Sequence, residues 1–186
     1  MTDMPILTLR NMVLFPEMTM PVAIGRPQSL SLINETKRLS RPIAVVCQMD
    51  SKVDNPGFDD LYKVGTVADI IKVLELPDNT TNVILRGRSP FKLNSIHATE
   101  PYLKGSITTL EEIRPIAKDK EFRVLMSSIK DVTHQILKTL GEGANELAFA
   151  VKNIDSNEYL INFLTTNMPF EPHKKQEMLE ERDVKK

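Results

Sequence analysis

The stretch VGTVADIIKVLELPDNTTNVILRGRSPFKLNSI, residues 64–96, decides the fold class of this 186-residue chain. Two long segments rich in Val, Ile and Leu flank a polar turn at 77–81, which predicts an antiparallel hairpin. Both alternating sets of side chains in the first segment are apolar, as Val67 and Ala68 illustrate. An open sheet usually keeps one face in water, so strands that are apolar on both faces predict a closed or strongly coiled sheet.

Shorter strands and one helix surround this hairpin in the first two thirds of the chain. The apolar stretch 5–22 predicts a first strand, and Pro16 and Pro21 are expected to keep the residues between them out of regular pairing. Pro27 suits the first turn of a helix, which is predicted at 25–39. Further strands are predicted at 41–49 and 102–113, the second of which completes a meander with the hairpin.

The hydrophobic period changes from residue 119 onward. Apolar residues then recur every three or four positions through 122–140, which predicts a long amphipathic helix that Gly141 and Gly143 end. Helices are also predicted at 145–154 and at 156–168, with Ser156 as the cap of the second. The predicted fold class is therefore α+β: a β-rich pseudo-barrel lobe with one short helix over 1–117, followed by an all-helical lobe over 118–186.

The final segment, 171–186, is dominated by charge. It holds five acidic and five basic residues, with Met178 and Leu179 as its few apolar anchors. Pro172 can start a helix here, and so polar a helix predicts either a surface position or the start of a longer coiled coil. The chain stops on DVKK with no capping residue, so we expect a truncated helix that continues in a longer protein.

Composition excludes several classes of protein. The formal net charge is -1 and no run of Lys and Arg exceeds two residues, which argues against nucleic acid as a partner. The single cysteine, Cys47, lies in an apolar run and is expected to be a buried, inert thiol. The chain shows no signal peptide and no apolar run of membrane-spanning length, so we expect a cytoplasmic protein with no membrane partner.

A search for catalytic motifs finds none. The glycines do not form the phosphate-binding motif G-x-x-x-x-G-K-S/T, and no G-x-S-x-G nucleophile elbow is present. Two S-x-x-K matches, at Ser89 and Ser127, lack the companion motifs of a serine–lysine site. The three histidines are far apart in the sequence, so no metal site is expected. We therefore expect no enzyme activity and no cofactor in this chain, and a function that resides in its surfaces.

Apolar residues placed in loops are the candidate functional surface, because monomeric proteins seldom expose large apolar patches without a use. Methionines between two prolines, and a Leu-Pro pair at a hairpin tip, would suit a surface that accepts varied apolar partners. The alternative is that the same residues plug the ends of the barrel. The predicted binding rim consists of Leu9, Phe15, Pro16, Met18, Met20, Pro21, Leu76 and Pro77.

Three blocks of the sequence resemble the Lon family of ATP-dependent proteases. Residues 5–33, PILTLRNMVLFPEMTMPVAIGRPQSLSLI, are similar to the opening signature of that family, with its L-R-N/D, F/Y-P and G-R elements. Residues 54–93 resemble its second block, D-x-P through V-G-T to an L-P-D-G hairpin, except that Asn79 replaces the usual glycine. Residues 163–186 resemble the end of the amino-terminal region of the family.

This resemblance implies a PUA-like pseudo-barrel lobe, a helical lobe and a substrate-recognition role. ATP and Mg would serve an ATPase module, and a serine–lysine pair a protease module, both outside this chain. The implied partners are unfolded or damaged client proteins and other copies of the chain in a hexamer. The alternatives are a free-standing adaptor of the same domain type, or a ligand- or RNA-binding module.

Overall fold

A computed structural model describes residues 2–76, 80–115, 119–139 and 145–186. Strands fill the first part of the chain and helices the second, as the α+β prediction requires. The elements are β1 (Thr2–Leu9), β2 (Thr19–Ile24), α1 (Pro27–Leu39), β3 (Ile43–Cys47), a 3-10 turn (Phe58–Asp60), β4 (Val64–Glu75), β5 (Thr81–Ala98), β6 (Lys104–Thr109), α2 (Lys120–Thr139), α3 (Asn145–Asn153), α4 (Asn157–Asn167) and α5 (Pro172–Glu180).

The six strands form one sheet in the order β2-β5-β4-β3-β1-β6, and β6 also pairs with β5. That additional pairing closes β1, β3, β4, β5 and β6 into a barrel, which confirms the prediction of a closed sheet. The hairpin of β4 and β5 and the meander through β6 are antiparallel as predicted. The barrel closes through β1, which runs parallel to β3 and antiparallel to β6.

Burial on both faces of the strands follows from two separate apolar clusters. Leu7 and Leu9 of β1 point into a cluster shared with α1, whereas Met4 and Ile6 of the same strand point into a second cluster. Strand β3 divides its side chains between the two clusters in the same way, and all five of its residues are buried. Cys47, the last residue of β3, is 3% exposed, as the apolar run around it predicted.

One prediction about the opening stretch is wrong. Thr19 and Met20 do not lie outside regular pairing, because they belong to β2 and are paired with Arg86 and Leu85 of β5. Pro21 continues the same strand, paired with Ile84. Strand β2 is the edge strand of the sheet, where a residue without a backbone N–H can be accommodated. Pro16 does lie in a loop, between β1 and β2.

Two helices of the helical lobe begin at the predicted signals. Ser156 caps α4, since its hydroxyl accepts a hydrogen bond from the Tyr159 N–H at 3.1 Å. Helix α5 begins at Pro172. The lobe has its own apolar core, which includes Leu160, Met126 and Leu137. The glycines expected to end α2, and the lobe boundary expected at 117/118, lie outside the described residues.

The prediction that the final segment starts a longer coiled coil is wrong. Helix α5 ends at Glu180, and residues 181–186 turn back toward the barrel, where Asp183 forms a bridge with Ile113. Nor is α5 free on the surface: Leu179 is 7% exposed, and the Gln176 side chain donates to the Val64 carbonyl at 2.9 Å. Two inward-facing residues one turn apart therefore suffice to dock this polar helix on β4.

Candidate protein-binding surfaces

Four residues of the predicted rim are buried. Leu9 and Phe15 are each 2% exposed, Met18 is 4% exposed and Pro16 is buried as well. Phe15, Pro16 and Met18 lie on one loop, and the helical lobe covers that loop. Leu179 and the half-buried rings of Tyr159 and Phe163 belong to the same apolar cluster as Phe15 and Met18. For these four residues the prediction of an exposed rim is wrong: Leu9 belongs to the barrel core, and the other three lie where the barrel meets the helical lobe.

The local backbone explains this burial. Phe15 to Met18 form a tight turn in which the Met18 N–H donates to the Phe15 carbonyl at 3.3 Å. Pro16 occupies the second position, which its fixed φ favours, and Glu17 adopts a φ of 64°, as the third position of a type II turn requires. Gly87 of β5 holds the turn by two backbone hydrogen bonds: its N–H donates to the Met18 carbonyl, and its carbonyl accepts from the Glu17 N–H.

The other rim residues do not form one patch. Pro21 is exposed and Leu76 is 38% exposed, but Met20 is half-buried against the barrel core. Met20 lies opposite Leu85, whereas Leu76 follows the pair Glu75–Thr81, which is beside the other end of β2. Four residues along a strand separate these points, or about 13 Å. Pro77 lies outside the described residues.

Helix α2, predicted as a long amphipathic helix, presents an exposed apolar surface that the sequence analysis did not identify. Its apolar residues divide into two stripes at helical spacing. One stripe, which contains Phe122, Met126 and Leu137, is buried against the rest of the lobe. The second, named here the α2 stripe, consists of Leu125, Ile129, Val132 and Ile136, with exposures of 42, 38, 53 and 43%.

The flanks of the α2 stripe carry little charge. Ser128 and Gln135 lie beside it at helical spacing, and the stripe itself repeats at intervals of four, three and four residues. The stripe runs from Leu125 to Ile136 within the 20-residue helix. The sequence contained a signal for this surface, since seven apolar residues at two interleaved sets of positions exceed what one buried helix face needs.

A cleft lies where the barrel meets the helical lobe. It has a volume of about 300 Å³, and Phe15 and Pro16 lie in its wall together with Ile161 and Met178. These two rim residues thus contribute to a concave surface rather than to an exposed lip. We call this feature the interlobe cleft; carboxylate side chains supply much of the rest of its lining.

Titratable groups give no indication of catalysis. Burial raises the pKa of the Cys47 thiol, and this thiol lies beside core residues rather than in a cleft. Within the described ranges, no three His, Cys, Asp or Glu side chains are grouped so that they could hold a metal ion. Over the same ranges, no helix combines the length and the apolarity needed to cross a membrane.

Together, the closed barrel, the packed helical lobe and the exposed apolar helix face define an α+β binding domain with no catalytic constellation among its described residues. The chain belongs to the family of LON substrate-binding domains: the family model described as "ATP-dependent protease La (LON) substrate-binding domain" matches residues 3–186. This match confirms the resemblance found in the sequence. The matched domain is not a protease domain, as predicted for this chain.

Relatives with similar sequences match almost the whole chain. It is 45% identical over 181 residues to a protein named Lon protease from Parabacteroides distasonis, a match covering 97% of this chain and 22% of that protein. The Lon protease of Flavobacterium johnsoniae is 40% identical over 177 residues, with 95% and 22% covered. The chain therefore spans about a fifth of the length of these relatives.

Solved structures share the fold. The N-terminal domain of a Lon protease from the Mycobacterium avium complex superposes with a TM-score of 0.80 at 18% identity, covering 98% of this chain and 92% of that one. A Lon N-terminal domain protein from Xanthomonas campestris gives a TM-score of 0.68 at 16% identity, with coverages of 99% and 93%. At these identities the likeness supports the α+β architecture alone.

Proposed function

We propose that this chain is the client-recognition domain of a cytoplasmic, hexameric, Lon-type ATP-dependent protease. The domain would capture exposed apolar segments of misfolded or damaged proteins and deliver them to ATPase and protease modules elsewhere in the protein. ATP and Mg would act only in those modules. Relatives that extend far beyond the matched region favour this proposal over a free-standing adaptor, and the net charge of -1 disfavours an RNA-binding module.

The α2 stripe is the observation that carries the proposal. Four aliphatic side chains on one exposed helix face offer apolar area without charges that would select a sequence. Burial of such area contributes about 25 cal/mol per Å², so one domain would hold a client weakly. Six copies in a ring could raise the overall affinity by a factor on the order of 10². Weak, degenerate contacts of this kind suit a receptor for many unfolded sequences.

The exposed members of the predicted rim are further proposed contact points, separate from the α2 stripe. Pro21 and Leu76 remain available at the surface, and Ile71 of β4 is 51% exposed. Met20 is half-buried against the barrel core, so its replacement by glutamate would test folding as much as binding. The Leu76→Glu variant is the cleaner probe, and we expect it to weaken client binding less than a change on the α2 stripe.

The proposal is tested by titrating the chain with a permanently unfolded client whose disulfides are reduced and whose thiols are carboxymethylated. The double variant Ile129→Gln/Val132→Gln removes the middle of the α2 stripe without touching the buried stripe. We expect its Kd for the client to rise on the order of tenfold, from the loss of roughly 1–2 kcal/mol of apolar burial.

The matched control is Arg123→Gln/Ser127→Gln, two exposed positions of the same helix outside the stripe. It should leave the Kd unchanged. Equal affinities of the wild type and the stripe variant would contradict the assignment of the α2 stripe. Absence of any client binding by the wild type would contradict the proposed function itself.

A further inference from the structure

The interlobe cleft has an apolar wall built from both lobes. The barrel side contributes Phe15, Pro16 and Pro90, and the helical side contributes Ile161 and Met178. Its volume of about 300 Å³ is at the lower end of the roughly 300–1,000 Å³ usual for ligand pockets. The cleft can therefore accept one or two side chains of an extended chain, but not a folded partner.

Carboxylates outnumber cations around this apolar wall. The lining includes five acidic side chains, Glu112, Glu158, Glu177, Glu181 and Asp183, against two basic ones, Arg182 and Lys186. The Arg182 guanidinium donates to the Glu111 backbone carbonyl at 2.7 and 2.9 Å, so its hydrogen bonds go to a neutral group.

Part of this negative charge forms no ion pair with the residues that the structure describes. Glu112 pairs with Arg114 at 3.2 Å, and Glu177 pairs with Lys174 at 2.8 Å. Among the described residues, no ion pair includes Glu158, Glu181 or Asp183. A bound cation would thus meet three carboxylates that do not have to break an existing ion pair.

Bonds between distant parts of the chain hold the walls of the cleft in place. The Asn162 side chain donates to the Pro16 carbonyl at 3.2 Å, across the junction of the lobes. Asp183 is placed by its bridge with Ile113, and the Ile113 N–H donates to the Arg182 carbonyl at 2.7 Å. A site formed before binding loses less conformational entropy when a ligand enters.

We propose that the interlobe cleft binds a short extended client segment in which a Lys or Arg lies beside an apolar residue. The apolar side chain would enter between Pro16 and Met178, and the cation would face Glu158 and its neighbouring carboxylates. This inference rests on the proposed function and adds a substrate preference to it: the α2 stripe selects for apolar character alone, and the cleft selects for a basic residue next to it.

The test uses two fluorescein-labelled ten-residue peptides, one alternating Leu and Lys and the other alternating Leu and Glu, titrated into the 186-residue chain at low and high salt. We expect the Lys peptide to bind at least tenfold more tightly at low salt, and the difference to shrink as salt screens the carboxylates. The isosteric variant Glu158→Gln/Glu181→Gln should weaken Lys-peptide binding roughly fivefold, since exposed ion pairs contribute modestly.

A charge-matched control, Glu75→Gln/Glu100→Gln, changes two exposed carboxylates outside the cleft and should keep the full preference for the Lys peptide. Equal binding of the two peptides by the wild type would overturn the inference. An equal loss of preference in the cleft variant and the control would also overturn it, because the effect would then be one of net charge. If the unfolded client binds and neither peptide does, the cleft is excluded and the proposed function stands.

Discussion

The side-chain amide of Asn162 donates a hydrogen bond to the backbone carbonyl of Pro16 at 3.2 Å, although 146 positions separate the two residues. The bond joins α4 to the turn at Phe15–Met18, which packs against the helical lobe. It also connects two residues that line the interlobe cleft. One polar contact thus links the packing of the two lobes to the shape of a proposed binding site.

Replacing Asn162 with alanine should therefore loosen the junction of the lobes. The half-buried Pro16 carbonyl would lose its partner, which we expect to lower the free energy of unfolding by about 1–2 kcal/mol in urea denaturation. Asn167→Ala is the matched control, because Asn167 is exposed and bonds only the preceding turn of its own helix. Equal losses of unfolding free energy in the two variants would show that the interlobe hydrogen bond stabilises the protein no more than a bond within one helix.

Gly87 should not tolerate a side chain. A Cβ atom at this position would lie 2.2 Å from the Phe15 carbonyl oxygen, a backbone atom that cannot move alone. We expect Gly87→Ala to lower the free energy of unfolding by at least about 2 kcal/mol and to disturb the turn at Phe15–Met18. Gly25→Ala, where nothing lies within 4 Å of the new Cβ, should be neutral or slightly stabilising. A neutral Gly87→Ala would contradict the close approach of the turn to β5.

The docking of α5 can be tested by two adjacent substitutions. Leu179 is 7% exposed and Met178 is 42% exposed, so the two side chains point to different sides of the helix. We expect Leu179→Ala to cost about 2–4 kcal/mol in thermal or urea unfolding, and Met178→Ala less than about 1 kcal/mol. If α5 were instead a free helix that only begins a longer coiled coil, both substitutions would have small and similar effects.

The end of the chain should respond to pH at both extremes. Hydrogen bonds from the Phe122 N–H and, with a smaller effect, from the Lys185 ammonium lower the pKa of Asp119 below 3.8. The stabilising effect of the Asp119 carboxylate is therefore lost as pH falls through that lowered pKa. Hydrogen bonds to Glu121 and Asp119 raise the pKa of Lys185 above 10.5, so the contribution of the ammonium is lost as pH rises through the raised value.

The measurable consequence is a plateau. The difference in urea midpoint between the wild type and Lys185→Met should be constant from about pH 5 to pH 9, since both groups keep their charges there. It should shrink toward zero under more acidic and more alkaline conditions. The control Lys186→Met, next along the chain, should show no such profile; a difference that does not depend on pH would exclude the charge contacts of Lys185 as its cause.

Local signals in the sequence predicted much of the fold. The hairpin of β4 and β5, the cap at Ser156 and the helix start at Pro172 each depend on residues that are close in sequence. The parallel pairing of β1 with β3 was not predicted, because no local pattern encodes which distant strands become neighbours. The course of α5 was misjudged for the same reason: its few apolar residues meet a partner, β4, more than a hundred positions earlier.

The binding surfaces were harder to predict than the fold. Prolines around Phe15 and Met18 indicated a loop, and the further step from loop to exposure failed because the helical lobe covers that loop. Conversely, the sequence analysis predicted one amphipathic helix here and did not separate the exposed α2 stripe from the buried stripe beside it. Exposure is a property of tertiary packing, and periodicity alone does not reveal it.

The closure of the barrel also bears on how the chain folds during synthesis. Thr2 of β1 is paired with Ile107 of β6, so β1 completes its pairing only after more than a hundred further residues have emerged from the ribosome. At about 5–20 residues per second, that edge stays open for roughly 5 to 20 seconds. An apolar strand with an unpaired edge is a target for aggregation during this interval. A domain that would recognise unfolded proteins thus passes through a stage at which it resembles its own clients.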